Sequence, residues 1–215
     1  MKKYFVSITV VSSIITGVIF ASVASTANAG VVTFHPESAI YAGSGCPQGA
    51  THILVDEVGD LLIEHEQFVL DLRRGTSVLA GRKACSIRVP VSLPQGFYVK
   101  SIQQQIQYSV LKSAGAEAKI STRTALSGDS INPFTVVLPA DEEIYGDNMI
   151  DARRDNLGSR SRREHYCSGT RSEDLMLQIN TVISGQKDSI DQDLVVASYG
   201  GYIGEGIELE IAASQ

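Results

Sequence analysis

Four histidines, His35, His52, His65 and His165, and a scatter of carboxylates are the groups from which this chain could build acid-base or metal chemistry. Hydrolysis by either route needs such groups to converge on one point. The histidines occur singly, with no His-x-x-x-His or Glu-His pair at ligand spacing on a recognisable helix. His65 lies between Glu64 and Glu66 and, in an extended chain, points away from both, which reads as a solvated strand face rather than a site. Gly43-Ser44-Gly45 lacks the strand-to-helix setting of a nucleophile elbow, and Cys46 beside it is better explained by a disulfide than as a nucleophile. No catalytic residue follows from the sequence.

Two charged groups are candidates for binding. Asp188, Asp191 and Asp193, with Asp174 or Glu173, offer oxygen ligands to calcium, although the Gly and Glu of an EF-hand loop are missing at their places. The competing reading is an acidic turn in which Asp side chains cap backbone N–H groups. Arg153, Arg154, Arg160, Arg162 and Arg163 follow Asp141, Glu142, Glu143, Asp147 and Asp151 in a segment, residues 139–170, with few large apolar side chains. Such a loop could grip an anionic glycan, a phosphate or an acidic partner, or form exposed ion pairs worth little each. Its dibasic pairs also make it a plausible protease-sensitive loop.

The elements that must hold these groups are strands. In residues 82–97, Cys85, Ile87, Val89 and Val91 fall on one side and Ser86, Arg88, Pro90 and Ser92 on the other, the period of a half-buried strand. Pro90 gives no N–H to a ladder, so this strand lies at a sheet edge or directs that position away from a neighbour. Residues 97–111 alternate apolar Ile102, Ile106, Tyr108 and Val110 with Gln103, Gln105, Gln107 and Ser109, and residues 118–126 form a return strand, so the two read as one long hairpin. Residues 134–138 read as a strand buried on both faces, residues 175–183 as a clean alternating strand, and residues 31–45 show no clear period. Gly43 to Gly49 read as a structural turn. About eight strands with turn signals and no amphipathic helix imply an all-β fold, a β-sandwich or jelly-roll of antiparallel sheets.

Lys2 and Lys3, an apolar run and Ala27-Asn28-Ala29 are the parts of a secretory signal peptide, residues 1–29, leaving one domain over residues 30–215. Removal of the two lysines leaves 16 Lys and Arg against 24 Asp and Glu, net −8, which argues against nucleic acid or an anionic membrane as main partner. No later stretch has the length of a membrane span. Secretion or periplasmic export permits disulfides, and of Cys46, Cys85 and Cys167 the first two each sit where a loop meets an apolar strand. A Cys46–Cys85 bridge leaves Cys167 as a free thiol in a monomer, or as the link of a dimer.

Gly43-Ser44-Gly45-Cys46-Pro47-Gln48-Gly49, Arg82-Lys83-Ala84-Cys85 with Pro94-Gln95-Gly96-Phe97, and Asp188-Ser189-Ile190-Asp191 together resemble a family of small exported proteins called DUF4360. Members carry four cysteines; three match here, and where the fourth is expected the chain reads Ile211-Ala212-Ala213-Ser214-Gln215. The resemblance implies an exported β-fold and lends no catalytic residue. The reading that results is a non-enzymatic exported protein binding an extracellular or cell-surface partner, whether glycan, surface or protein, through the 139–170 loop and the glutamine face. A protease inhibitor presenting that loop as bait, or a hydrolase with an unrecognised site, are the alternatives.

Overall fold

The computed structural model describes residues 32–57, 59–93, 97–126, 129–130, 134–155, 174–203 and 208–211, so residues 1–29, expected to be a signal peptide, lie outside the described residues. In chain order the strands are β1 (Thr33–Phe34), β2 (Ile40–Ala42), β3 (Thr51–Val55), β4 (Leu61–His65), β5 (Val69–Asp71), β6 (Ala80–Ser92) and β7 (Phe97–Lys112). They continue as β8 (Ala116–Leu126), β9 (Asp129–Ser130), β10 (Phe134–Leu138), β11 (Ile144–Asp155), β12 (Asp174–Lys187), β13 (Leu194–Ile203) and β14 (Glu208–Ile211). One 3-10 turn, Pro36–Ser38, separates β1 from β2, and no α-helix occurs among the described residues.

The strands form two antiparallel sheets. Sheet one runs β1-β6-β12-β8-β10, with β2 beside β6 and β9 beside β8; sheet two runs β11-β7-β13-β4-β3, with β14 beside β7 and β5 beside β13. Ile87, Val89, Leu177, Ile179 and Ile120 of sheet one share a single buried cluster with Leu61, Ile63, Tyr108, Val110 and Val196 of sheet two. Two sheets closed over one apolar core define an antiparallel β-sandwich.

In β6 the alternation behaves as expected: Cys85, Ile87, Val89 and Val91 are buried, and Arg88 is exposed. Pro90 sits on the interrupted side of the strand. Its carbonyl accepts the His35 N–H at 3.0 Å, opposite the break between β1 and β2, and its ring nitrogen faces the same way because N and O of one strand residue share a side. The missing donor therefore falls where no ladder partner waits.

The hairpin expected over residues 97–126 does not form. β7 pairs with β11, β13 and β14, β8 pairs with β12, β10 and β9, and the turn between β7 and β8 carries the chain from sheet two to sheet one. Period-two alternation says which side of a strand packs, but not which strand becomes its neighbour. Crossing between sheets leaves turn carbonyls inside the end of the sandwich. Lys112, the last residue of β7, is fully buried there, and its ammonium donates to the carbonyls of Ala116 at 2.9 Å, Ser113 at 3.4 Å and Glu142. Lys187, the last residue of β12, repeats the device where the chain crosses to β13, donating to the Arg73 and Gln192 carbonyls at 2.9 and 3.1 Å.

Three further expectations are corrected. Residues 134–138 make an edge strand pairing with β8 alone among the described residues, and Val137 is exposed. Twelve residues of the supposed 139–170 loop are strand: β11 follows β7 for twelve residue pairs, from Ile144↔Lys112 to Asp155↔Ser101. Backbone pairing at a sheet edge needs no alternating apolar side chains, so the sequence carried no signal of it. His65 is buried rather than solvated, between Thr51 and Phe68, while Glu64 is exposed.

The Gly-rich turn is bound to β6. Gly45 N–H donates to the Ala84 carbonyl at 2.9 Å, Ala84 N–H donates to Ser44 Oγ at 3.2 Å, and Cys46 and Cys85 form a disulfide with a Cα–Cα distance of 5.3 Å. A Cβ at Gly43 would lie 2.1 Å from the Ala84 carbonyl oxygen, and one at Gly45 2.2 Å from the Phe68 ring. Only glycine permits this approach.

Two stability outcomes follow. Replacing Lys112 by Met keeps the stem but leaves the turn carbonyls without a donor, and urea unfolding is expected to report a loss of roughly 3 kcal/mol; a loss under about 1 kcal/mol contradicts the device. The Cys46→Ser/Cys85→Ser variant is expected to lose up to about 4 kcal/mol by the same assay, since the bridge closes a loop with a sequence separation of 39.

Candidate functional site

Among the described residues the structure does not gather the acidic candidates, and Glu173 lies outside them. Gln192 organises the Asp188–Asp193 loop, its Oε1 accepting the N–H groups of Asp188 at 2.8 Å and Ser189 at 3.0 Å and its Nε2 donating to the Ala114 carbonyl at 2.9 Å. Asp191 N–H donates to Ser189 Oγ, and the Asp193 carboxylate accepts the Arg74 backbone N–H at 2.8 Å with the guanidinium at 3.4 Å. Among the described residues no group of three His, Cys, Asp or Glu is arranged to hold a metal ion. Arg153 and Arg154 pair in register with Gln103 and Ile102 on β7. Arg160, Arg162, Arg163 and Cys167 lie outside the described residues.

One trio has the residue types of a hydrolytic triad. His35 Nε2 is 2.8 Å from Ser92 Oγ, and His35 Nδ1 is 3.4 Å from a Glu37 carboxylate oxygen. The second distance exceeds a charge-assisted hydrogen bond, Glu37 is largely exposed, and the Ser92 side of the pair has a further interaction. The contact ties the 3-10 turn to the end of β6.

The glutamine face is the arrangement with a consistent geometry. On the outer side of sheet two, β7 presents Gln105, Gln107, Ser109 and Leu111, all outside the core to which Ile106, Tyr108 and Val110 turn. Register brings β11 and β13 alongside in rows: Tyr145–Leu111–Val195, Asp147–Ser109–Ala197 and Met149–Gln107–Gly200, the last continuing to Glu64 and His52. Tyr145 is 85% and Met149 58% exposed, high values for large side chains on a strand. The bulge between Ser198 and Gly200 puts Tyr199 on the surface as well. Gly200 adds no side chain to its row between Gln107 and Glu64. The sequence displayed the glutamines but not β11, whose Tyr145, Asp147 and Met149 border them.

A sandwich with one such polar strand face and a disulfide-stapled turn is the class that fold and site define. Residues 33–197 match the family described as Domain of unknown function (DUF4360), and the chain belongs to that family. No curated protein matches. Among solved structures, TmCBM61 in complex with beta-1,4-galactotriose aligns at 10% identity over 79% of this chain and 90% of that one, with a TM-score of 0.29. The family 11 carbohydrate-binding module from Clostridium thermocellum, in complex with a mixed-linked tetrasaccharide, aligns at 15% identity over 81% and 88%, with a TM-score of 0.22. Empty particles of cowpea mosaic virus align at 11% identity over 85% and 87%, with a TM-score of 0.24. The sandwich assignment rests on the chain's own strand register and core. No helix among the described residues is long and apolar enough to cross a membrane.

His65 is buried with the core. Burial lowers its pKa from 6.5 to about 4, and its Nδ1 lies 3.1 Å from Thr51 Oγ1. The unfolded chain takes up this proton below about 6.5 and the folded chain only near 4, so stability is full above 6.5 and falls as the pH drops towards 4. Urea unfolding is expected to report a loss of roughly 2–3 kcal/mol from neutral pH to midway between 4 and 5, a loss that His65→Phe removes. An equal loss in that variant assigns the pH dependence to other groups.

Proposed function

We propose that the protein is an exported, non-enzymatic binding protein whose ligand is a neutral glycan held on the outer face of sheet two. The carrying observation is the run of amide and hydroxyl side chains on β7, Gln105, Gln107 and Ser109, beside exposed Tyr145 and Met149 on β11. Gln offers both a donor and an acceptor, which suits sugar hydroxyls, and an exposed tyrosine ring offers a flat apolar surface to the C–H face of a pyranose. The Gly200 position gives a chain of sugars room to lie across β7 and β13. Export is supported by the Cys46–Cys85 bridge, which persists in an oxidising compartment.

Retention of the purified protein on insoluble neutral polysaccharides, followed by titration with soluble fragments of the retaining polymer, tests the reading. Tyr145→Ala and Gln107→Ala are each expected to weaken binding by about tenfold, the equivalent of roughly 1.4 kcal/mol. Absence of retention on any neutral polysaccharide, or affinities unmoved by both substitutions, refutes it.

A further inference from the structure

The outer face of sheet one has the opposite chemistry. β6, β12 and β8 lie side by side there, and their outward positions carry Arg82 and Arg88 on β6 and Lys119 and Arg123 on β8, all exposed. Between them the outward positions of β12 from Met176 to Gln186 carry only uncharged side chains, among them Gln178 and Asn180. Register fixes the spacing: Arg82 and Lys119 share one row through Ser184, while Arg88 lies beside Gln178 and Arg123 beside Asn180, one outward position further along β12. The cations therefore stand in two files roughly 10 Å apart, and Arg82 and Arg88 are separated by roughly 20 Å along β6. Glu117 on β8 and Asp174, opposite Ser92 at the start of β12, are the acids that the same alternation puts on this side. In a chain of net charge −6, four cations against two acids on one face is a segregated charge pattern.

We propose that this face binds an acidic polysaccharide, a linear chain of sugars bearing carboxylate or sulfate groups. Widely spaced cations with amides and hydroxyls between them match a polymer whose charges are separated by sugar rings and whose hydroxyls need hydrogen-bond partners. A nucleic acid strand places a charge about every 3.4 Å, far denser than this pattern, and the acidic remainder of the protein repels it. The chain's own residues 156–173 carry four arginines and two glutamates, so their net charge opposes docking on a cationic surface. The inference stands apart from the neutral-glycan reading, because it uses the other sheet and different residues.

Affinity electrophoresis and calorimetric titration with polygalacturonate in low-salt buffer test the proposal. The purified protein is expected to be retarded, with affinity falling as salt is added. The Arg82→Gln/Arg88→Gln/Lys119→Gln/Arg123→Gln variant is expected to bind at least about tenfold more weakly, with an unchanged circular dichroism spectrum because all four positions are exposed. Arg73→Gln/Arg74→Gln, which removes charge away from the face, is expected to stay within about twofold. Lack of retardation, or equal weakening by both variants, overturns the site. Tighter binding of double-stranded DNA or phosphatidylserine vesicles than of polygalacturonate overturns the assignment to a polysaccharide.

Discussion

The fold depends on solving one problem, the backbone carbonyls left inside the end of the sandwich where the chain crosses between sheets. A hairpin within a sheet pairs such groups in its own ladder, whereas a crossing turn does not. Lys112 and Lys187 close two of these crossings from within, β7 to β8 and β12 to β13, each at the last residue of a strand whose inward positions are mostly apolar. Lysine suits the place because its stem packs like a hydrocarbon and its head carries three donors. Burial pushes the Lys112 ammonium below the ordinary lysine value, while the carboxylates of Glu142, Asp141 and Glu143 pull the other way. The two crossings also interlock: Ser113 N–H donates to the Asp193 carbonyl, and Asp193 N–H to Ser113 Oγ.

A second constraint acts at β6. Gly43 to Cys46 lie directly on Ala84 and Cys85, joined by hydrogen bonds and by the disulfide, with Phe68 filling the space where a Gly45 side chain would stand. Two of the stretches by which the chain resembles its family, Gly43-Ser44-Gly45-Cys46 and Arg82-Lys83-Ala84-Cys85, are thus halves of one structural unit. They maintain the sandwich and leave chemistry to its surfaces. This agrees with the candidate groups: His65 is a core residue, and the hydrogen-bonding capacity of the Asp188–Asp193 loop goes largely into its own turn.

The two outer sheet faces point in opposite directions with a core layer of about 10 Å between the sheets. One carries amides, hydroxyls and exposed aromatic and thioether side chains; the other carries separated cations. Strands hold such side chains at fixed spacing, so either face offers a preorganised surface with little to order on binding.

Amino-acid order by itself determined the all-β class, the inward sides of β6, β7, β8 and β12, and the polar character of the glutamine row, since alternation with period two is a property of each strand alone. It also pointed to the Cys46–Cys85 bridge, because each cysteine stands where a loop meets an apolar strand. Strand partnership was decided only in three dimensions. Nothing local tells β7 to pair with β11 and β13 rather than with β8, because the choice depends on crossings between sheets and on the buried lysines that make them tolerable. For the same reason β11 was invisible: an edge strand is held by backbone hydrogen bonds, which are the same for every sequence, and its Tyr145 and Met149 acquired neighbours only through register with Leu111 and Gln107. The cationic face was hidden likewise, as residues 82, 88, 119 and 123 form a surface only once β12 has come between β6 and β8.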